Sequence, residues 1–323
     1  MSDLVVPYPP AGAARDAWIL SRRPPRNAVA PDRAYGTFVE PEAGADGVVR
    51  DAATILLTNR ECPWKCVMCD LWMNTLEVSV PPGAIRAQLD AALDGLPRTT
   101  VIKLYNAGSF FDAKAIPPGD FVSIAERLSV FDRVIVECHP ALVGPPVREF
   151  ASLLTGTLEV AMGLEVADDR ILDLLNKRMT LAMYAAAAAQ LGEMGVDHRA
   201  FVLVQPPFVA SADAVRMAVE SARFAFAQGA TAVSLIPTRG GNGAMQALAH
   251  AGHFARPALA TLEDAHDATL ALGSGRVFAD VWDLARFSVC DTCFPAREAR
   301  LREMNLTQRP LPRVACDRCR AWV

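Results

Sequence analysis

The sequence predicts an α/β fold, a partial TIM-like (β/α)6 barrel with a small C-terminal four-cysteine metal module, and three observations carry that prediction. From residue 51 onward, short β-prone runs alternate with helical stretches. The runs are almost continuously apolar, as strands covered on both faces of a parallel sheet must be. Polar or unusual residues follow the runs, where βα loops gather at the C-terminal rim of a parallel sheet. Six such units fall short of a full eight-fold barrel, so the sheet is expected open, with a doubly wound sheet as its structural rival.

Residues 1–50 include SRRPPRNAVAPDR, rich in Pro, Ala and Arg without a sustained period, and read as an irregular extension packed across the main domain. Candidate strands are 54–58 (TILLT), 100–105 (TVIKLY), 133–137 (RVIVE), 158–165 (LEVAMGLE), 199–204 (RAFVLV) and 230–236 (ATAVSLI). Helical segments fall near 83–95, 119–130, 145–154, 168–176, 181–194 and 212–228. The barrel core is assigned to 51–275 and the metal module to 276–323.

At 323 residues and 52% hydrophobic content, the chain can bury one large core with a small appendage. Its net charge of -4 gives no global basic field for nucleic acid. No apolar run reaches the ~18 residues of a membrane helix, and MSDLVVPYPPAGAARD lacks the regions of a signal peptide. A cytoplasmic location without membrane contact is therefore expected. In that reducing compartment the eight cysteines read as metal ligands rather than disulfides.

The stretch ECPWKCVMCDLW places Cys62, Cys66 and Cys69 on the loop after the first strand. Three thiols are one short of a structural zinc site. They suit a cubane iron–sulfur cluster in which three irons take cysteines and the fourth stays open to a substrate. A redox C-x-x-C at Cys66 and Cys69 is the competing reading. This C-x3-C-x2-C loop in a partial barrel resembles the radical S-adenosylmethionine (SAM) superfamily. The resemblance implies a [4Fe–4S] cluster whose open iron chelates SAM, cleavage of SAM to a 5′-deoxyadenosyl radical, and hydrogen abstraction from a substrate. It also implies a reducing electron donor of flavodoxin or ferredoxin type. Met68 departs from the aromatic residue common before the third cysteine.

The remaining rim follows from the same resemblance. YNAGS supplies Tyr105, Asn106, Gly108 and Ser109 where the superfamily holds the SAM amino group. In ECHP, Glu137 would face the SAM ribose or the substrate, Cys138 is either a reactive thiol or a packing residue, and His139 either a proton donor or a turn cap. MGLEVADDRILDLLNKRMT matches a stretch of the Elongator-type subgroup; Glu165 takes the ribose hydroxyls, while Asn176 and Lys177 shape the turn. Arg199 is read as a SAM-carboxylate contact or a surface strand arginine. In PTRGGNG the glycines let backbone approach a ligand, and Arg239 is the candidate for an anionic substrate group.

Cys290-x2-Cys293 and Cys316-x2-Cys319, 22 residues apart, form two knuckles that read as a four-cysteine zinc site, with an auxiliary iron–sulfur cluster as the alternative. Arg297, Arg300, Arg302, Arg309, Arg313, Arg318 and Arg320 outnumber the acids of 290–323 by three, compatible with phosphate contact or with a solvated face. YNAGSF, GLEVADDRILDLLNK and QPPF, followed by the C-terminal knuckles, most resemble the radical SAM subunits of archaeosine synthases. That resemblance implies carbon–nitrogen cleavage of a lysine-bearing deazaguanine adduct on tRNA and leaves a partner enzyme subunit open. A small metabolite or peptide substrate, and a non-enzymatic metal-binding module, remain alternatives.

Overall fold

The computed structural model describes residues 8–319. Its strands are β1 Gly36–Ala43, β2 Val49–Leu56, β3 Val101–Tyr105, β4 Arg133–Cys138, β5 Thr157–Glu165, β6 Asp197–Val204, β7 Ala232–Pro237 and β8 Arg276–Ala279. The helices, in chain order, are α1 Ala13–Leu20, α2 Ala84–Asp94, α3 Phe121–Leu128, α4 Pro145–Leu153, α5 Asp169–Leu174, α6 Leu181–Glu193, α7 Ala214–Ala227, α8 Ala244–His250, α9 Leu259–Leu270 and α10 Phe294–Thr307. One sheet contains all eight strands in sequence order, β2 to β8 parallel and β1 antiparallel to β2.

The six expected strands correspond to β2–β7, and their sequential order excludes the doubly wound rival, which reverses direction at a switch point. Every crossover advances the same way, so the sheet curls on itself. Strands β3 to β7 are buried along most of their length, as the apolar runs require.

Residues 1–50 are not wholly irregular. They carry α1 and the edge strand β1, paired with β2 from Gly36↔Leu56 to Ala43↔Val49. The pairing went unread because GTFVEPEA alternates only loosely, with Pro41 inside it; an edge strand tolerates that proline. The boundary at 276 also moves, since β8 lies in the sheet and α10 packs onto it. Asn305 donates to Ala279 O (2.8 Å) and accepts from its N–H (2.8 Å), while Gln308 does the same at Val277 (3.1 and 2.7 Å). Two side-chain amides thus cover the free edge of β8, which would otherwise invite another strand.

The two sheet edges approach each other. Phe38 of β1 meets Trp282, just beyond β8, with ring centroids 5.6 Å apart. At the opposite end Arg276 donates to Ala43 O (3.3 Å). Between these points the base of the barrel is filled by Glu42, Lys103, Glu159 and Arg199, all ion-paired across the lumen. Buried charges tolerate desolvation only when so matched.

Candidate active site

The loop leaving β2 carries the three cysteines, and its path is set by bonds from three other segments. Val67 N–H donates to Leu175 O (3.0 Å), Asn176 Nδ2 to Lys65 O (2.7 Å), and Asn242 Nδ2 to both Val67 O (2.8 Å) and Cys69 O (2.9 Å). At its start, Glu61 pairs with Arg23, Arg26 and Lys65. Burial opposes its ionisation, but these cations hold the Glu61 carboxyl down at about 2. The loop is therefore held by polar bonds as well as by the burial of Val67 in the core.

Within it, Cys69 N–H donates to Cys66 O (3.2 Å) in a tight turn. Burial pushes all three thiols up to about 12, and each is raised further by another of the three. Lys177 acts in the opposite sense on Cys62 and Cys66. Its ammonium sits 2.5 Å from Glu165 Oε1, and both side chains are about 10% exposed, at 11% and 10%. Lys177, expected only to shape a turn, is a site cation placed between a carboxylate and the thiols.

Glu165 owes its direction to a register irregularity between β5 and β6 at Gly163/Glu165, and takes a left-handed φ of 65°. The ion pair lies directly over Gly163, where a Cβ would collide with both partners. A glycine is required there.

The loop after β3 faces the cysteines. A Cβ on Gly108 would stand 3.3 Å from that of Cys62, a close approach that a larger residue would disturb. Asn106 is wholly buried, and neither its Oδ1 nor its Nδ2 has a partner among the described residues. Ser109 Oγ accepts from His139 N–H (2.6 Å), and Tyr105 packs edge-on to Phe201 at 6.0 Å. Glu137 Oε2 accepts from Asn106 N–H (2.8 Å). Burial lifts its carboxyl to about 7, against the backbone N–H groups of Asn106, Ala107 and Gly108. Glu137 thus positions the loop.

Cys138 and His139 are both buried at the end of β4. Cys138 is buried, its thiol lies 3.2 Å from His139 O, and burial pushes it up to about 12, so it packs and is not activated. His139 Nδ1 accepts from Ala141 N–H (3.1 Å), which leaves Nε2–H to donate to Lys177 O (3.1 Å). Burial drives its pKa down to about 3. Both ring nitrogens are engaged with backbone groups, the geometry of a turn cap.

Two arginines are held by acids of the fold. Arg199 is neither on the rim nor on the surface: it is 2% exposed, below the site, between Glu42 and Glu159. It lies at the third position of β6, too early in the strand for its side chain to reach the C-terminal rim. Arg239 is at the rim but committed to Asp280 (2.8 Å) and to Trp282 O.

Sequence reasoning missed three contributors. Asn242, inside PTRGGNG, clamps the cysteine loop and accepts from Met245 N–H (2.8 Å) at the start of α8; an Asn ahead of a helix was the available signal. Trp64 stacks on His139. Tyr35, at the foot of β1, lies close enough to Glu137, Asp70 and Cys69 for each to raise its phenol, already raised by burial, and nothing local marks it.

At the C-terminus Cys290, Cys293, Cys316 and Cys319 bring their sulfurs within 4.8 Å of one another. The basic excess there is mostly neutralised: Arg297, Arg300, Arg302 and Arg313 pair with Glu263, Asp267, Glu298 and Asp264. Arg318 donates to Thr292 Oγ1 (2.9 Å), and Arg320 lies outside the described residues.

No family model matches the chain. It is similar to archaeosine synthase subunit beta of Thermococcus kodakarensis, 30% identical over 165 residues, which cover 48% of this chain and 51% of that protein. The same subunit of Methanosarcina acetivorans is 27% identical over 190 residues, 54% of each chain. The chain thus spans about half the length of these curated relatives. Among solved structures, an N-terminally deleted Elp3 of Methanocaldococcus infernus aligns with a TM-score of 0.51 at 14% identity over 72% of this chain and 60% of that one, a likeness of fold.

Proposed function

We propose that the chain is a radical SAM enzyme that acts on a deazaguanine-type nucleoside in tRNA, with Cys62, Cys66 and Cys69 holding a [4Fe–4S] cluster. The observation that supports the reading is the loop itself: three thiols between positions 62 and 69, on a loop clamped by Asn176 and Asn242, with Gly108 brought against Cys62. The residues present fit the cluster and SAM. Three thiols leave one iron open, and the buried, unpartnered Asn106 amide stands in the same wall. When bound, these cofactors supply a reductive carbon–sulfur cleavage that delivers a 5′-deoxyadenosyl radical to the substrate.

The protein's part is placement and charge. Lys177 offsets the negative charge that ionised Cys62 and Cys66 would carry in so buried a setting. Tyr105, Asn106, Gly108 and Ser109 form the wall against which SAM lies, held in shape by Glu137. Glu165 gives one oxygen to Lys177; its Oε2, unpaired among the described residues, is the atom for ribose hydroxyls. A flavodoxin- or ferredoxin-type donor supplies the electron, and the name of the relatives, a beta subunit, suggests a partner subunit.

The C-terminal cysteines suit one ion rather than an auxiliary cluster. Four sulfurs ~2.3 Å from a tetrahedral zinc stand roughly 3.8 Å apart. Cys293 and Cys319 sulfurs are 3.7 Å apart. A cluster would spread them, one thiolate to each iron.

A second reading, a small metabolite or peptide substrate, draws support from the internal pairing of the C-terminal arginines. One experiment tests the first. Anaerobically reconstituted protein should contain about four irons and about one zinc and form 5′-deoxyadenosine with SAM and dithionite. It should also bind tRNA in a salt-sensitive way. Zinc without iron, and no deoxyadenosine, would refute the cluster; deoxyadenosine without tRNA binding would favour the second reading.

A further inference from the structure

With Arg297, Arg300 and Arg313 of the C-terminal segment already paired with Glu263, Asp267 and Asp264, a polynucleotide gains from a further cationic surface near the cysteines. A cavity of about 410 Å³ lies on the outer side of the rim, between the loop after β7, α8 and the segment beyond β8. Its apolar lining includes Met245, Phe254 and Phe287, and its charged lining is Arg239, Arg256 and Arg286. Gly240 and Gly241 form one wall, and the next residue, Asn242, bonds Cys69 O at 2.9 Å. An occupant therefore sits beside the cysteine loop.

The three cations differ. Arg239 is held by Asp280, and Arg286 makes only an exposed contact with Asp283 (3.1 Å), which competes weakly with a bound anion. Arg256 is exposed and makes no hydrogen bond or ion pair among the described residues. Next to Arg239, which bonds its carbonyl, Trp282 is 63% exposed, its indole meeting Phe38 on one side only. An aromatic floor, an exposed indole and a free guanidinium together suit a base with its phosphate.

We propose that this cavity is a flanking-nucleotide subsite: it holds a nucleotide adjacent to the target in the RNA substrate, Arg256 meeting the phosphate and Trp282 stacking on a base. The inference rests on the nucleic-acid reading above and adds where the strand is gripped.

The test uses the full chain and unfractionated tRNA, with binding measured across a salt series. Arg256→Ala should weaken binding about tenfold and lower the salt slope by about one. Trp282→Ala should weaken it about as much without changing the slope, because stacking releases no counterions. Arg98→Glu, on an exposed turn ahead of β3 at the far end of the barrel, should change neither. Deoxyadenosine formation without tRNA should be unchanged in all three. If the wild type binds no tRNA, the nucleic-acid reading fails and takes the subsite with it. If the wild type binds and Arg256→Ala and Trp282→Ala match it, or Arg98→Glu weakens binding equally, the subsite is overturned while the nucleic-acid reading stands.

Discussion

The His139 imidazole lies flat on the Trp64 indole, ring centroids 3.7 Å apart and planes inclined by 10°. The stack joins the cysteine loop to the end of β4, and the ring's Nε2–H carries the link on to Lys177 O. His139→Ala removes two hydrogen bonds and a stacked pair, about 2–3 kcal/mol. The expected result is a lower melting temperature and weaker iron retention, with residual SAM cleavage in proportion to the iron left. An unchanged melting temperature with lost turnover would instead show the ring acting chemically.

Replacing Cys62, Cys66 or Cys69 by Ala should remove iron and deoxyadenosine formation together while leaving zinc in place. Cys290→Ala should remove zinc and lower stability while iron stays. Metal analysis of the four variants checks both halves, and loss of zinc from the Cys62 variant would contradict the separation of the two sites.

Asn242→Asp tests the clamp. The carboxylate still accepts from Met245 N–H but faces the Val67 and Cys69 carbonyls with no donor, against the three bonds the amide makes. A loss of about 2–3 kcal/mol and faster iron release to a chelator are expected. Equal release rates would mean that the loop is held by its other bonds.

Lys177→Met leaves Glu165 buried without its partner, a change that costs about 3–5 kcal/mol when a buried pair is broken on one side. The double variant Lys177→Met/Glu165→Leu should recover much of that stability but not cluster assembly, since the counter-charge for Cys62 and Cys66 is still missing. Denaturation and iron content, measured together, separate the two effects.

Acid should destabilise the fold below neutrality. Burial pushes His139 down to about 3 and His198 and His266 down to about 4, so the unfolded chain takes up protons that the native state refuses. Their stabilising contribution is complete above the unfolded value of about 6.5 and is lost as pH falls toward 4 and 3. Glu137, raised to about 7 by burial, has the opposite sign: its contribution is present below its unfolded value of about 4.5 and lost as pH rises through 7. Three histidines outweigh one carboxyl, so the urea midpoint should drop from pH 7 to pH 5. A flat profile would contradict the burial of these histidines.

Much of this was legible in the residues. Apolar runs marked β2 to β7, because a strand covered on both faces needs a continuous apolar stretch whatever its neighbours are. The cysteine spacings marked the C-terminal four-cysteine group, whose sulfurs do converge, because ligands from one knuckle come together by local geometry. Pairwise chemistry between distant residues was not legible. Lys177 was read as part of a turn, and Arg199 as a rim or surface residue, because a charge's partner is set by the curl of the sheet rather than by its sequence neighbours.

The sequence by itself determined the alternation of elements, the rim that bears the chemistry, and the seven metal-binding candidates, since each depends on period or spacing within a few residues. Only the tertiary structure decided that β1 and α10 complete the sheet's edges, that Asn242 and His139 hold the cysteine loop, and that Arg297 and Arg300 are buried against Glu263 and Asp267. Those facts depend on contacts between residues up to 175 positions apart, as between Asn242 and Val67, where local pattern carries no information and packing alone chooses the partner.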